Sequence, residues 1–211
     1  MSELLGIFPA TVTASDSDGA FDPAAMRRII RHQLGAGVHG LYVCGGTGEG
    51  LLLTTAEHRA VIETVVDEVA GKVPVVSHVG AFQTAETLAR ARDACAVGVD
   101  AVAALPPAYF YKPDDEGLLQ YYSVLSEAAS PLPLLIYNIP QRTGVAMTPE
   151  LYARMLEIEN IVGMKDSTGD VYAIGQFVSV FKHIKRLIRI GTEDRMQGAL
   201  EAYRQIPTVL G

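Results

Sequence analysis

No stretch of this 211-residue sequence concentrates lysine and arginine, and the chain carries a formal charge of −7 with a pI near 5.2. Holding nucleic-acid phosphates takes clustered cations, so no nucleic-acid partner is expected. An apolar run of membrane-spanning length is also missing, and Met1-Ser-Glu-Leu-Leu-Gly6 opens the chain without a basic region leading into an apolar one. No membrane partner is expected either, and a soluble, cytoplasmic protein is the reading. Cysteine is scarce. Cys44 falls in a β-like run and Cys95 in a helix-like one, which suits unreactive roles in a reducing compartment better than a disulfide framework. His32, His39, His58 and His183 lack metal-ligand spacing, which argues against a metal-dependent catalyst. No linker or low-complexity segment divides the chain, so residues 1–211 are expected to form a single domain.

What is present is apolar material, at 49% hydrophobic against 19% charged, arranged in a regular alternation. Strand-like runs cover Ile7 to Thr13, Gly40 to Cys44, Pro74 to Val79, Ala101 to Leu105, Leu132 to Ile139, Ile161 to Lys165 and Leu187 to Ile190. They recur about every 30 residues, the size of a βαβ unit. Helical periodicity fills the gaps. Thr54 and Glu57 have capping-box spacing ahead of a stripe of Val61, Ile62, Val65, Val66 and Val69. Leu88, Ala91 and Cys95 mark a narrower stripe, and Thr148-Pro149 reads as an N-cap followed by proline at the first helical position. Continuously apolar strands imply a parallel sheet buried on both faces. No G-x-G-x-x-G follows the first strand, which removes the main support for a dinucleotide-binding sheet and favours a (β/α) barrel.

In such a barrel the C-terminal strand ends carry the chemistry. Lys165 closes the run Ile161-Val-Gly-Met-Lys. An amine there is either desolvated, with a pKa lowered towards carbonyl chemistry, or a strand-end lysine reaching for solvent. Tyr137 holds a comparable late position in Leu134-Leu-Ile-Tyr-Asn-Ile, where it is either a proton relay beside that amine or a core tyrosine. The turn Cys44-Gly-Gly-Thr-Gly-Glu-Gly50 offers free amides and the Thr47 hydroxyl for a carboxylate, and it lacks the lysine of a P-loop. His78 ends the third run and reads as a core or rim histidine.

Taken together, Gly45-Gly-Thr-Gly-Glu49, Tyr137-Asn-Ile-Pro140 and Gly163-Met-Lys165 with Asp166-Ser-Thr-Gly-Asp170 resemble the dihydrodipicolinate synthase and N-acetylneuraminate lyase family of class I aldolases, from about Ile7 to Gln197. The resemblance implies a (β/α)8 barrel and an imine between Lys165 and the C2 carbonyl of pyruvate or another 2-oxo acid. It further implies proton relay by Tyr137 and carboxylate binding by Gly46 and Thr47. An aldehyde or sugar is the implied second substrate, with no cofactor and a homotetrameric assembly. Arg142, in Pro140-Gln-Arg-Thr-Gly144, resembles the arginine that binds the carboxylate of an aspartate semialdehyde in the synthase branch, a role its two-pronged guanidinium suits; an exposed loop arginine is the alternative. Tyr109, in Pro106-Pro-Ala-Tyr-Phe-Tyr111, falls where the family places a tyrosine that reaches into a neighbouring subunit, and an aromatic oligomer contact accounts for it equally.

Two features depart from the family pattern. Gly46 stands where a serine or threonine is usual, which leaves the synthase proton relay short of a hydroxyl. After the helix expected near Arg195 to Leu200, Ile206 to Leu210 with Pro207 makes only a stub, so the expected barrel lacks its eighth strand and C-terminal helices. Alternative readings are a 2-oxo-3-deoxy sugar-acid dehydratase using the same imine, and a non-catalytic 2-oxo-acid binder.

Overall fold

The capping box written by Thr54 and Glu57 closes as expected. The Thr54 hydroxyl accepts from the Glu57 amide at 3.2 Å, while the Glu57 carboxylate accepts from the Thr54 amide at 2.8 Å. That start launches helix α2, Thr55–Val69, whose buried face includes Val61, Ile62, Val65 and Val69. Thr54→Ala leaves both ends of this box unmatched and is expected to lower stability by about 1 kcal/mol, read as a shift in the urea-unfolding midpoint. A midpoint unchanged within error would show that water replaces the cap at no cost.

The structure, a computed structural model, describes residue 4, residues 6–110 and residues 112–184, without the side chains of 181–184. Helix α1, Pro23–Gly35, precedes the strands, with Asp22 as its N-cap. Strands β1 (Leu41–Val43), β2 (Val75–His78), β3 (Ala101–Ala104), β4 (Leu134–Asn138) and β5 (Ile161–Asp166) then alternate with α2, α3 (Thr84–Val97), α4 (Asp115–Ala129), the short α5 (Pro140–Thr143) and α6 (Pro149–Met155). Helix α7, Val171–Ile184, follows β5. Thr148 caps α6, its hydroxyl accepting from the Leu151 amide at 3.1 Å. The expected strand at Leu187 to Ile190 and everything beyond it lie outside the described residues.

The pairings among these five described strands are all parallel, in the order β1-β2-β3-β4-β5. A doubly wound sheet reverses its order at a switch point, and among the described strands this one never does. It is the wall of a (β/α) barrel. The expected strand at Ile7 to Thr13 is reduced to one parallel bridge, Ala10 to Tyr42. The Thr11 amide donates to the Tyr42 carbonyl at 2.9 Å and the Tyr42 amide to the Pro9 carbonyl at 3.1 Å. Pro9 has no N–H to extend this ladder.

Side chains on the strands divide between two layers. Leu41, Val43, Val75, Val102, Ala104, Leu134, Ile136 and Ile161 pack outward against the helices in the larger core. Tyr42, Val76, Ala101, Ala103 and Leu135 point the other way, into the barrel, and pack with Leu4 and Phe8. Helix α3 departs from expectation. Thr87, Arg90, Ala91 and Ala94 form its buried face, leaving Leu88 and Cys95 half-buried. Cys44 and Cys95 are both free thiols. Burial pushes the Cys44 thiol up to about 12, in keeping with an unreactive role. No described helix is long and apolar enough to cross a membrane.

Candidate active site

Lys165 faces the barrel interior because of an irregularity. Leu134 pairs with Ile161, but Leu135 pairs with Gly163, so β5 carries one extra residue at this point. An added residue reverses which face each later side chain meets. The shift brings Lys165 opposite Tyr137 and Asp166 opposite Asn138. The Lys165 Nζ then lies 3.5 Å from the centroid of the Tyr137 ring and 4.8 Å from that of Tyr42, and it donates to the Ser167 Oγ at 3.3 Å. Burial lowers the Lys165 pKa, opposed first by Tyr137 and then by Asp166. Such an amine yields its neutral, nucleophilic form at lower pH than an exposed lysine.

Asp166 points away from this centre. Its carboxylate accepts from Asn138 Nδ2 at 2.7 Å and from the Thr168 amide at 2.9 Å, closing the turn after β5. The Asn138 carbonyl accepts from the Ser167 amide at 2.9 Å. These bonds fix the strand ends that carry Tyr137 and Lys165.

Tyr42, beside the lysine, is a residue that sequence reasoning missed. It is 2% exposed, stands edge-on to Tyr137 with ring centroids 6.3 Å apart, and its buried hydroxyl has no hydrogen-bond partner among the described residues. A lone phenol in the aliphatic run Leu41-Tyr-Val43 was the available signal. Tyr42 also connects the lysine to the glycine-rich turn: a Cβ on Gly45 would sit 2.5 Å from its ring.

The turn itself is folded tightly. The Gly50 amide donates to the Gly45 carbonyl at 3.1 Å and the Glu49 amide to the Gly46 carbonyl at 3.2 Å, with Cys44 and Glu49 in left-handed backbone at φ 56° and 52°. A Cβ on Gly50 would meet the Cys44 carbonyl oxygen at 1.7 Å, so only glycine fits there. Gly46 and Thr47 lie exposed on the turn, and their amides have no acceptor among the described residues. Oriented amides of this kind suit a carboxylate.

The other expected residues stand apart from the lysine. Arg142 is exposed at the end of α5, a helix tied to the loop after β5 by Gln141 Nε2 donating to the Thr168 carbonyl at 2.7 Å. Tyr109 is 82% exposed and stacks edge-on with Phe110, at 4.8 Å, and Phe82, at 6.3 Å. It does not enter the interior of its own chain.

His78 is a core histidine. Its Nε2 accepts from the Leu105 amide at 3.2 Å and its ring stands edge-on to Tyr137 at 5.8 Å. Burial foremost, then His58 and Lys165, lowers its pKa to about 3, and burial lowers His58 to about 4. His58 Nε2 donates to the His78 carbonyl at 2.9 Å. Both rings are thus held neutral in the folded chain, whereas the unfolded chain protonates them near the ordinary value of about 6.5. Below that value the unfolded state binds more protons, so stability is lost as pH falls from about 6.5 towards 4 and then 3. The urea midpoint is expected to drop steadily over this range, and a flat profile down to pH 4 would contradict neutral burial of both histidines.

Among the described residues, no group of three His, Cys, Asp or Glu is placed to hold a metal ion. Residues 3–200 match the model of the dihydrodipicolinate synthetase family. The chain is 42% identical over 175 residues to the 4-hydroxy-tetrahydrodipicolinate synthase of Methylobacterium radiotolerans, covering 83% of this chain and 58% of that protein. Among solved structures it resembles the sialic acid aldolase of Ruminococcus gnavus (34% identity, TM-score 0.80, 84% of this chain and 58% of that one), which has also been solved as a catalytic lysine mutant. It likewise resembles a dihydrodipicolinate synthase from Acinetobacter baumannii complexed with pyruvate (32% identity, TM-score 0.81, 89% of this chain and 62% of that one). The chain therefore spans less than two thirds of the length of these relatives.

Proposed function

The chain belongs to the dihydrodipicolinate synthetase family, and from that premise we propose that it is a class I lyase or aldolase that forms a Schiff base between Lys165 and pyruvate or another 2-oxo acid. The observation that carries this reading is the Lys165 amine, half-buried, its pKa lowered by burial, with its Nζ 3.5 Å above the Tyr137 ring. The pyruvate carboxylate binds the Gly46 and Thr47 amides and the Thr47 hydroxyl. The neutral amine attacks the C2 carbonyl, and loss of water leaves a protonated imine, with Tyr137 passing protons to and from the departing oxygen. The imine draws electrons from C3. A proton lost from C3 gives an enamine that adds to an aldehyde, and the reverse sequence cleaves a sugar acid.

Arg142 binds the second substrate, the carboxylate of an aspartate semialdehyde being the synthase-type case. The aromatic cluster of Tyr109, Phe110 and Phe82 forms a contact in a homotetramer, with Tyr109 reaching towards a neighbouring site, and the enzyme works in the cytoplasm. Gly46 supports a second reading, dehydration of a 2-oxo-3-deoxy sugar acid through the same imine. A Cβ there meets nothing within 4 Å, so the missing hydroxyl leaves open space beside Thr47. Product analysis separates the two: released pyruvate means cleavage, while water loss without pyruvate means dehydration.

Borohydride reduction in the presence of pyruvate, followed by peptide mass spectrometry, is the direct test. The expected result is one reduced adduct on the peptide containing Lys165. No adduct on a folded sample would refute the proposal.

A further inference from the structure

Arg90 is 2% exposed on α3 and forms no ion pair among the described residues. Its guanidinium instead meets three backbone carbonyls. Nη1 donates to Gly50 at 3.0 Å and to Gly80 at 3.3 Å, and Nη2 donates to Leu53. Gly50 closes the glycine-rich turn and Leu53 lies just beyond it; Gly80 belongs to the segment that follows β2. One side chain therefore joins the far end of the turn to a second loop on the same rim.

The turn requires such a clamp. Cys44 and Glu49 both sit in left-handed backbone that side chains disfavour, and strained backbone of this kind persists only where its surroundings over-determine it. Hydrogen bonds from the Glu49 and Gly50 amides hold the turn from inside. On the outside, the Gly48 carbonyl accepts from the Thr13 hydroxyl at 2.6 Å, and the Gly50 carbonyl accepts from Arg90. A planar fork of donors matches carbonyls that diverge from two chain segments, which a single ammonium on a flexible stem does not. A buried arginine is costly to desolvate, so its presence here calls for a geometric return.

We propose that Arg90 is a positioning residue, one that sets the distance between the Gly46 and Thr47 amides and the Lys165 amine by fixing the glycine-rich turn against the loop after β2. The proposal rests on the reading of that turn as the carboxylate site. Arg90 bonds to backbone carbonyls and not to Lys165, so its loss is expected to weaken binding of the 2-oxo acid far more than it slows the chemistry of a bound one.

The test uses the full chain as wild type, Arg90→Gln and Arg90→Lys. Borohydride trapping across a range of pyruvate concentrations yields a half-saturating concentration and a limiting rate. Arg90→Gln is expected to raise the half-saturating concentration about tenfold or more with the limiting rate held within about threefold, and Arg90→Lys to restore part of the loss. A half-saturating concentration equal to wild type in folded Arg90→Gln overturns the proposal, as does a fall confined to the limiting rate. Hydrogen exchange at the Glu49, Gly50 and Leu52 amides is an independent readout, expected to quicken in either variant while β4 amides stay protected. Should Arg90→Gln fail to fold, Arg90→Lys carries the test, and unchanged exchange at those amides overturns the clamp. If the wild-type chain gives no adduct at any pyruvate concentration, the reading of the site fails first, and exchange still decides whether Arg90 holds the turn.

Discussion

Lys165→Ala is expected to abolish the borohydride-stable pyruvate adduct and to lower turnover by about 10⁴-fold or more, the scale on which removal of a covalent nucleophile is felt. The imine is the step that turns C3 of a 2-oxo acid into a nucleophile, and no other described amine is seen to share the barrel interior with Tyr137. Lys165→Arg is expected to fail equally, because a guanidinium stays protonated at any working pH and its nitrogens do not condense with the ketone. Lys72, exposed in the loop after α2, supplies the control, and Lys72→Ala should trap pyruvate like wild type. Neither change at 165 should unfold the chain. The lysine is destabilised by burial, and alanine there removes a desolvated cation rather than a core contact. An adduct of undiminished yield in Lys165→Ala would move the chemistry to another residue and sink the assignment.

What the sequence made visible was whatever depends on local pattern. Burial on both faces wrote β1 and β3 as unbroken apolar runs and β2 and β4 as runs that open apolar and turn polar only at their C-terminal ends. Side-chain chemistry at single positions wrote the starts of α2 and α6, through Thr54 with Glu57 and Thr148 with Pro149. What it concealed depends on how distant segments meet. Nothing in Ile161-Val-Gly-Met-Lys165 shows that β5 slips by one residue against β4, yet that slip is what turns Lys165 towards Tyr137. Arg90 escaped notice for a related reason: a single arginine in a helix reads as a solvent-facing residue until the carbonyls of Gly50, Leu53 and Gly80 are known to converge on it. Tyr42 was hidden in plain view, inside a correctly expected strand, because its role comes from the side chains that gather over its ring.

Tyr137→Phe separates the hydroxyl from the ring that carries it. Phenylalanine keeps the aromatic face 3.5 Å below the amine and the edge-on contacts with Tyr42 and His78, so the core loses no volume and stability should change little. What disappears is the hydroxyl to which the proposed function assigns the proton relay, and general acid–base groups contribute typically about 10²- to 10⁴-fold, so under that proposal turnover should fall within that range. Trapping with pyruvate should persist, more slowly, since the amine remains. Its pH dependence offers a second readout. In the native chain Tyr137 opposes the lowering of the Lys165 pKa by burial. Removing the hydroxyl removes part of that opposition, so the amine is expected to lose its proton at lower pH, and the midpoint of the trapping rate against pH should shift downward from wild type. The sign follows from the charge: a group that favours the ammonium form raises the pKa, and its loss lowers it. Turnover within about threefold of wild type would remove Tyr137 from the relay. An upward shift of the midpoint would mean that the phenol disfavours the ammonium, the reverse of its role here.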